Sequence, residues 1–304
     1  LVLDLSDLDH RREALPCRGV KGTTGTQASY LELFNGDHER VRSLDQAVTA
    51  AIGFRASIPV SGQTYTRKLD AAVLDVVAAI AASAAKFSGD MRMLQSFGEI
   101  EEPFEDEQIG SSAMAYKRNP MRSERIASLA RFVLNLEPNA NQTHSVQYFE
   151  RTLDDSANRR LTIPESFLAT DALLVLMENV VSDLEVHPAR IERRLNDELP
   201  FMATEALIIR AVQMGSDRQD AHEQIRRASI AAARALKDGA PVNDMLERLA
   251  ADPAWPVPAA EMRPLLDPLH FIGRAREQVD EFLADVVEPL LRGATGAARE
   301  EVRV

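Results

Sequence analysis

Glu165-Ser-Phe-Leu-Ala-Thr-Asp-Ala-Leu-Leu-Val-Leu-Met-Glu-Asn-Val-Val-Ser-Asp-Leu184 is the stretch that decides the architecture. Phe167, Leu173, Leu174, Leu176, Met177, Val180, Val181 and Leu184 make it apolar over much of a helical circumference, which suits the inside of a large bundle better than a surface. Upstream, Leu69–Phe97 reads as a long alanine-rich helix whose small side chains let neighbouring helices approach closely, and Ser43–Phe54 as a shorter one. Strand-type alternation is scarce. The pattern predicts an all-α fold, a bundle of long helices.

Downstream, His187-Pro188 ends the apolar helix and begins a more charged segment, so the boundary between a central bundle domain (1–186) and a smaller carboxy-terminal helical domain (187–304) is expected there. Pro188–Leu199, Met202–Met214, Asp217–Lys237, Asn243–Ala251 and Arg274–Leu291 read as shorter helices. Gly215-Ser216 supplies a stop and a cap, and Asp252–Pro258 is a proline-rich connector holding the only tryptophan.

A net charge of −12 argues against nucleic acid as a partner. The single cysteine, Cys17, excludes an internal disulfide framework and fits a reducing, cytoplasmic setting. No apolar run reads as a membrane span, so no membrane partner is expected. Metal-ligand spacings and dinucleotide fingerprints are missing, and no cofactor is implied.

The chemistry is expected in the run Gly110-Ser-Ser-Ala-Met-Ala-Tyr-Lys-Arg-Asn-Pro120, which places hydroxyls, a lysine and an asparagine directly before a helix. Asn119 can cap that helix and Pro120 suits its first turn, while Ile126, Leu129, Ala130, Val133 and Leu136 recur on one face. Open backbone N–H groups, Lys117, Arg118, Arg122 and Arg125 would gather positive potential where loop meets helix, a place for a carboxylate or phosphate. Converging N–H donors beside Lys117 could also stabilise a serine alkoxide strong enough to take a proton from carbon. An ordinary capped helix behind a polar loop would show the same pattern. Likewise, Glu150–Arg160 could be a solvated stretch laced by salt bridges at helical spacing.

The run resembles the signature loop of the fumarase/aspartase superfamily, usually Gly-Ser-Ser-x-Met-Pro-x-Lys-x-Asn-Pro. Its flanks, Gly19–Ser29, Met121-Arg-Ser-Glu-Arg125, Gln147–Arg160 and Glu198–Glu205, narrow the resemblance to the adenylosuccinate lyase family, closest to its animal-type branch. The similarity covers nearly the whole chain. It implies β-elimination of fumarate from adenylosuccinate, giving AMP, and from the succinyl-carboxamide ribotide of purine synthesis, giving its amide. It also implies a homotetramer whose central helices share one bundle and whose active sites each collect residues from three chains.

Residue by residue, the resemblance makes Ser111 the general base, within a signature segment spanning 104–120. Lys117 and Asn119 match positions that bind the substrate carboxylates, and Glu124 matches the acidic residue that orients the general-acid histidine. Gln63, Ser112, Arg125, Arg151, Ser156 and Arg160 match substrate-binding positions, several of them for the nucleotide and its phosphate. A substrate with two carboxylates and a phosphate needs several cations, for which arginine is the preferred clamp.

Two departures stand out. Ala115 replaces the usual proline, which predicts a looser loop and a modest loss of rate. The family's Thr-His-x-Gln-Pro stretch, with its general-acid histidine, and a second, earlier histidine are not in this sequence; among its six histidines only His144 follows a threonine, without Gln-Pro after it. The chain opens Leu1-Val-Leu-Asp-Leu, as if within a helix, and is expected to be the carboxy-terminal portion of a longer enzyme, inactive alone. A sister lyase of the superfamily, such as argininosuccinate lyase, and a non-catalytic helical scaffold are the alternatives.

Overall fold

A computed structural model describes residues 1–104, 114, 116–149 and 151–292. They divide into two compact units, residues 1–186 and residues 187–292.

The first unit contains α1 (Val2–Ala14), α2 (Ala28–Leu33), α3 (His38–Ala51), α4 (Lys68–Phe97), α5 (Met121–Ser145) and α6 (Asp154–Ser182). Its frame is α4, α5 and α6, packed side by side in up-down-up order. Small residues make that close packing possible: Ala81 and Ala84 of α4 and Ala130 of α5 are fully buried beside Ile126, Val133, Leu173 and Val180. Burying each of the larger side chains is worth about 1.5–3 kcal/mol. Gly98, with φ +68°, takes the left-handed conformation that ends α4. Two short strands, β1 (Ile100–Glu101) and β2 (Glu185–Val186), then pair antiparallel with Ile100 opposite Val186. They tie the exit of α4 to the exit of α6.

Several helices begin earlier than their apolar pattern suggests. The first short helix starts at His38 rather than Ser43, because Asp37 caps it by accepting from the Glu39 and Arg40 amides. α6 starts at Asp154 rather than Glu165 and runs through Pro164, its first turns being charged instead of apolar. α4 is long and apolar enough to cross a membrane, contrary to the sequence reading. Its apolarity is explained by burial: Ala71, Leu74, Val77, Ala78, Ala81 and Ala84 are enclosed in the unit.

α6 meets the expectation of an enclosed helix on one side only. Leu173, Leu176 and Val180 are buried, whereas Phe167, Leu168, Leu174 and Val181 are exposed.

The second unit comprises α7 (Pro188–Met202), α8 (Thr204–Gln213), α9 (Arg218–Lys237), α10 (Met245–Ala251) and shorter helical turns between Ala259 and Leu291. Asp217 caps α9 through the Gln219 and Asp220 amides. Leu207, Ile225, Leu249, Trp255, Val257 and Met262 form its core. The helix expected over Arg274–Leu291 is broken: Ala275–Phe282 passes through a widened turn at Leu283–Val287 into Glu288–Leu291.

Candidate functional site

Those of the residues expected to bind and react that the structure describes fall at the two ends of the α4–α6 bundle. At one end lies the loop Ser61–Thr66, which carries Gln63. Arg18 donates to the Gly62 carbonyl at 2.7 Å and to the Gly22 carbonyl at 2.7 Å. Gly25, at φ +85°, presses against this loop so closely that a Cβ there would stand 1.8 Å from the Ser61 carbonyl oxygen. The Lys21–Thr26 turn therefore backs the Gln63 loop. Lys21 itself is buried against Asp45 at 2.7 Å. Burial alone would raise the Asp45 pKa, but hydrogen bonds from Lys21, Ser57 and the Val20 amide outweigh it and hold the carboxyl below its ordinary range.

The same loop is bound to the start of α6. Arg67 and Asp155, 4% and 2% exposed, form an ion pair at 2.7 Å. The other Asp155 oxygen accepts from Arg151 at 3.5 Å. Arg159 meets Asp70 at 2.5 Å and donates to the Tyr65 hydroxyl at 2.6 Å, while that hydroxyl donates to Asp70 at 2.8 Å. The Arg67 and Arg159 guanidinium groups lie 4.7 and 5.6 Å from the Tyr65 ring centroid. Burial first, then Asp70, raise the Tyr65 pKa, against the opposing pull of the two arginines.

Arg159 and Asp155 thus find their main partners on α4 and the segment before it, so the charged stretch is not the solvated helical ladder that spacing alone allowed. Arg151 and Ser156 are half-buried and Arg160 is exposed at the same end. Beside them a cavity of about 300 Å³ is lined by Ser61, Thr64, Tyr65, His144 and Gln147, among others. Among the described residues, the buried Nε of Arg151 and Nε2 of Gln147 meet no hydrogen-bond acceptor.

At the other end are Lys117, Asn119, Glu124 and Arg125. Lys117, Glu124 and Arg125 are exposed and Asn119 is half-buried. Ser111, Ser112 and Ala115 lie outside the described residues. The cap differs from the sequence reading. Pro120, not Asn119, occupies the cap position of α5 and no side chain of its own caps it. The Glu102 carboxylate does so from across the segment, accepting from the Arg122 amide at 2.8 Å and the Ser123 amide at 3.0 Å. Arg122 is 1% exposed. Arg118 pairs with Glu185 at 3.0 Å and Glu101 at 3.2 Å. Neither arginine adds the open positive charge expected of it.

The two groups are separated by the length of α5. Its 25 residues span about 36 Å at 1.5 Å per residue, with Glu124 and Arg125 in the first turns and Gln147 and Arg151 just beyond the end. Within one chain, Lys117, Asn119, Glu124 and Arg125 cannot share a small ligand with Gln63, Arg151, Ser156 and Arg160. Sequence reasoning missed Arg67, Tyr65, Asp70, Asp155 and Arg159, whose partners lie up to 94 residues apart.

Comparison with known proteins gives the family and the fold. Residues 27–134 match the family model "Lyase" and residues 200–282 match "Adenylosuccinate lyase C-terminus". The adenylosuccinate lyase of Saccharomyces cerevisiae is 49% identical over 296 residues, covering 96% of this chain and 61% of that protein. That of Schizosaccharomyces pombe is 48% identical over 301 residues, covering 99% and 62%. The chain therefore spans about three-fifths of the length of these relatives. Among solved structures, 3-carboxy-cis,cis-muconate lactonizing enzyme from Pseudomonas putida superposes with a TM-score of 0.76 at 22% identity, covering 93% of this chain and 60% of that one. Fumarate lyase from Mesorhizobium sp. BNC1 gives 0.72 at 21% identity, covering 93% and 62%; these two establish the fold alone. With the long-helix bundle, the paired clusters at its ends and these relatives in view, the chain belongs to the adenylosuccinate lyase family of the fumarase/aspartase superfamily.

Proposed function

We propose that this chain works in a homo-oligomeric adenylosuccinate lyase, in which the signature end of one copy meets the Gln63 end of another. The reaction is β-elimination of fumarate from adenylosuccinate to give AMP, and from the succinyl-carboxamide ribotide to give its amide. Ser111 removes the proton from the carbon beside the C–N bond. The electron pair collects on the adjoining carboxylate as an aci-carboxylate held by Lys117 and Asn119, and then expels the nitrogen as the carbon–carbon double bond forms. The departing nitrogen takes its proton from a general acid that Glu124 orients and that this sequence does not contain. Arg125, Arg151, Ser156 and Arg160 hold the nucleotide and its phosphate, and Gln63 and Ser112 also contact the substrate. A tetramer with each site drawn from three chains, in the cytoplasm and without a cofactor, completes the proposal.

The observation that carries this reading is the separation of the two clusters by α5. Each end is incomplete by itself: one has the residues for the carboxylates, the other has the buried Arg151 Nε and Gln147 Nε2 donors still to be satisfied. Antiparallel association of two copies would close that distance.

The test mixes this chain with a partner chain that contains the Thr-His-x-Gln-Pro stretch but has its own catalytic serine disabled, and follows fumarate by ultraviolet absorbance. Fumarate production that vanishes with Ser111→Ala is the expected result. Silence from the wild-type mixture would leave the helical scaffold as the better account, and turnover of argininosuccinate instead would indicate the sister lyase.

A further inference from the structure

The start of α5 looks like a ready-made anion site until its donors are counted. Pro120 has no N–H. The Met121 amide bonds the Asn119 carbonyl at 2.8 Å, and the Glu124 amide bonds the Pro120 carbonyl at 2.9 Å. The two amides between them, Arg122 and Ser123, go to the two oxygens of Glu102, and the Ser123 hydroxyl adds a third bond at 3.1 Å. Glu102 is 3% exposed. The helix's positive end already faces a carboxylate of the chain itself, so the first-turn amides of α5 are not open to a substrate anion.

Glu102 does not act in isolation. Its own amide donates to Gln95 at 3.2 Å, and Gln95 donates in turn to the Arg118 carbonyl at 3.5 Å. The buried Arg122 guanidinium donates to the Pro103 carbonyl. Arg118 lies over the Phe104 ring, 4.9 Å from its centroid, as it pairs with Glu101 and Glu185. Residues 101–104, which lead into the signature segment, are thereby bonded to residues 118–123, which lead out of it.

We propose that Glu102 is a positioning residue, the centre of a clamp that closes the base of the signature segment and fixes where Lys117, Asn119 and Glu124 stand. It touches no substrate. It sets the geometry by holding the first turn of α5 against β1, and the proposal rests on the lyase reading for what that geometry serves.

Two substitutions test it, Glu102→Gln, which keeps the shape, and Glu102→Ala, which removes the acceptor. On the chain alone, hydrogen exchange at the Arg122 and Ser123 amides is expected to accelerate about tenfold or more in Glu102→Ala. Exchange at Leu173 in α6 should stay as in wild type, which shows that the fold persists. In the mixture described above, Glu102→Gln is expected to lower kcat between about tenfold and a hundredfold, as a small displacement of catalytic groups does, with KM within about threefold. Unchanged amide exchange overturns the clamp. An unchanged kcat beside an active wild type overturns its role in positioning. If the wild-type mixture makes no fumarate, the lyase reading fails instead, and the exchange result still decides whether Glu102 fixes the segment.

Discussion

The head and the shaft of α6 use one helix in opposite ways. From Asp154 to Pro164 the helix buries charge: Asp155 and Arg159 are engaged with Arg67 and Asp70, and the half-buried Ser156 and exposed Arg160 share the same turns. Beyond Pro164 it is mainly apolar, with Leu173, Leu176 and Val180 inside the unit and Phe167, Leu168, Leu174 and Val181 outside it. The contrast separates two tasks. The head fixes the local geometry of its polar end, while the shaft offers a face that the described residues leave exposed.

The sharpest way to break the contrast is to unpair the head. Asp155→Ala leaves Arg67 charged and buried without its partner, and is expected to cost about 3–5 kcal/mol of unfolding free energy, measured by urea titration of the chain. A loss below about 1 kcal/mol would show that the pair is better solvated than its burial implies. Arg160→Ala removes an exposed member of the same head. Stability should stay within about 0.5 kcal/mol, whereas kcat/KM in the mixed assembly should fall about tenfold to a hundredfold, as for one lost charge-assisted hydrogen bond of roughly 1.5–3 kcal/mol.

The shaft is tested by Leu168→Glu. Leu168 is 64% exposed, so the isolated unit should keep its stability within about 0.5 kcal/mol, and sedimentation velocity should report smaller assemblies than wild type. Unchanged sedimentation would assign the apolar face some other task.

The smallest effect is expected at Glu137, on the neighbouring α5. Burial first, and then a hydrogen bond with Asp75, raise its pKa, with Asn141 pulling the other way. A carboxyl raised in the folded state favours folding below its ordinary pKa and loses that contribution as pH rises through the raised value. At neutral pH the charge is therefore a mild liability. Glu137→Gln should raise Tm at pH 7 by no more than about 2 °C, with the gain disappearing in acid.

How much could be read in advance follows the same division. The shaft of α6 and the whole of α4 are legible because apolar and alanine positions recur at helical spacing over many turns. The head is not, because the groups that pair with Asp155 and Arg159 sit on α4 and just before it, 88 and 89 residues away. The cap of α5 was misread for a similar reason. Asn119 is a good local cap, but Glu102, 20 residues before Arg122, outcompetes it from the other side of the signature segment. The motif residues themselves were recognisable by likeness to a family. Their distribution over both ends of a long helix was not, since a motif has no coordinates.

The 25-residue span of α5 also has a genetic corollary. If every working centre borrows its two halves from different copies, then a lesion at Arg160 and a lesion at Ser111 need not be additive when carried on separate molecules. Random co-assembly would leave a minority of centres with two intact halves, so two individually dead alleles could rescue one another.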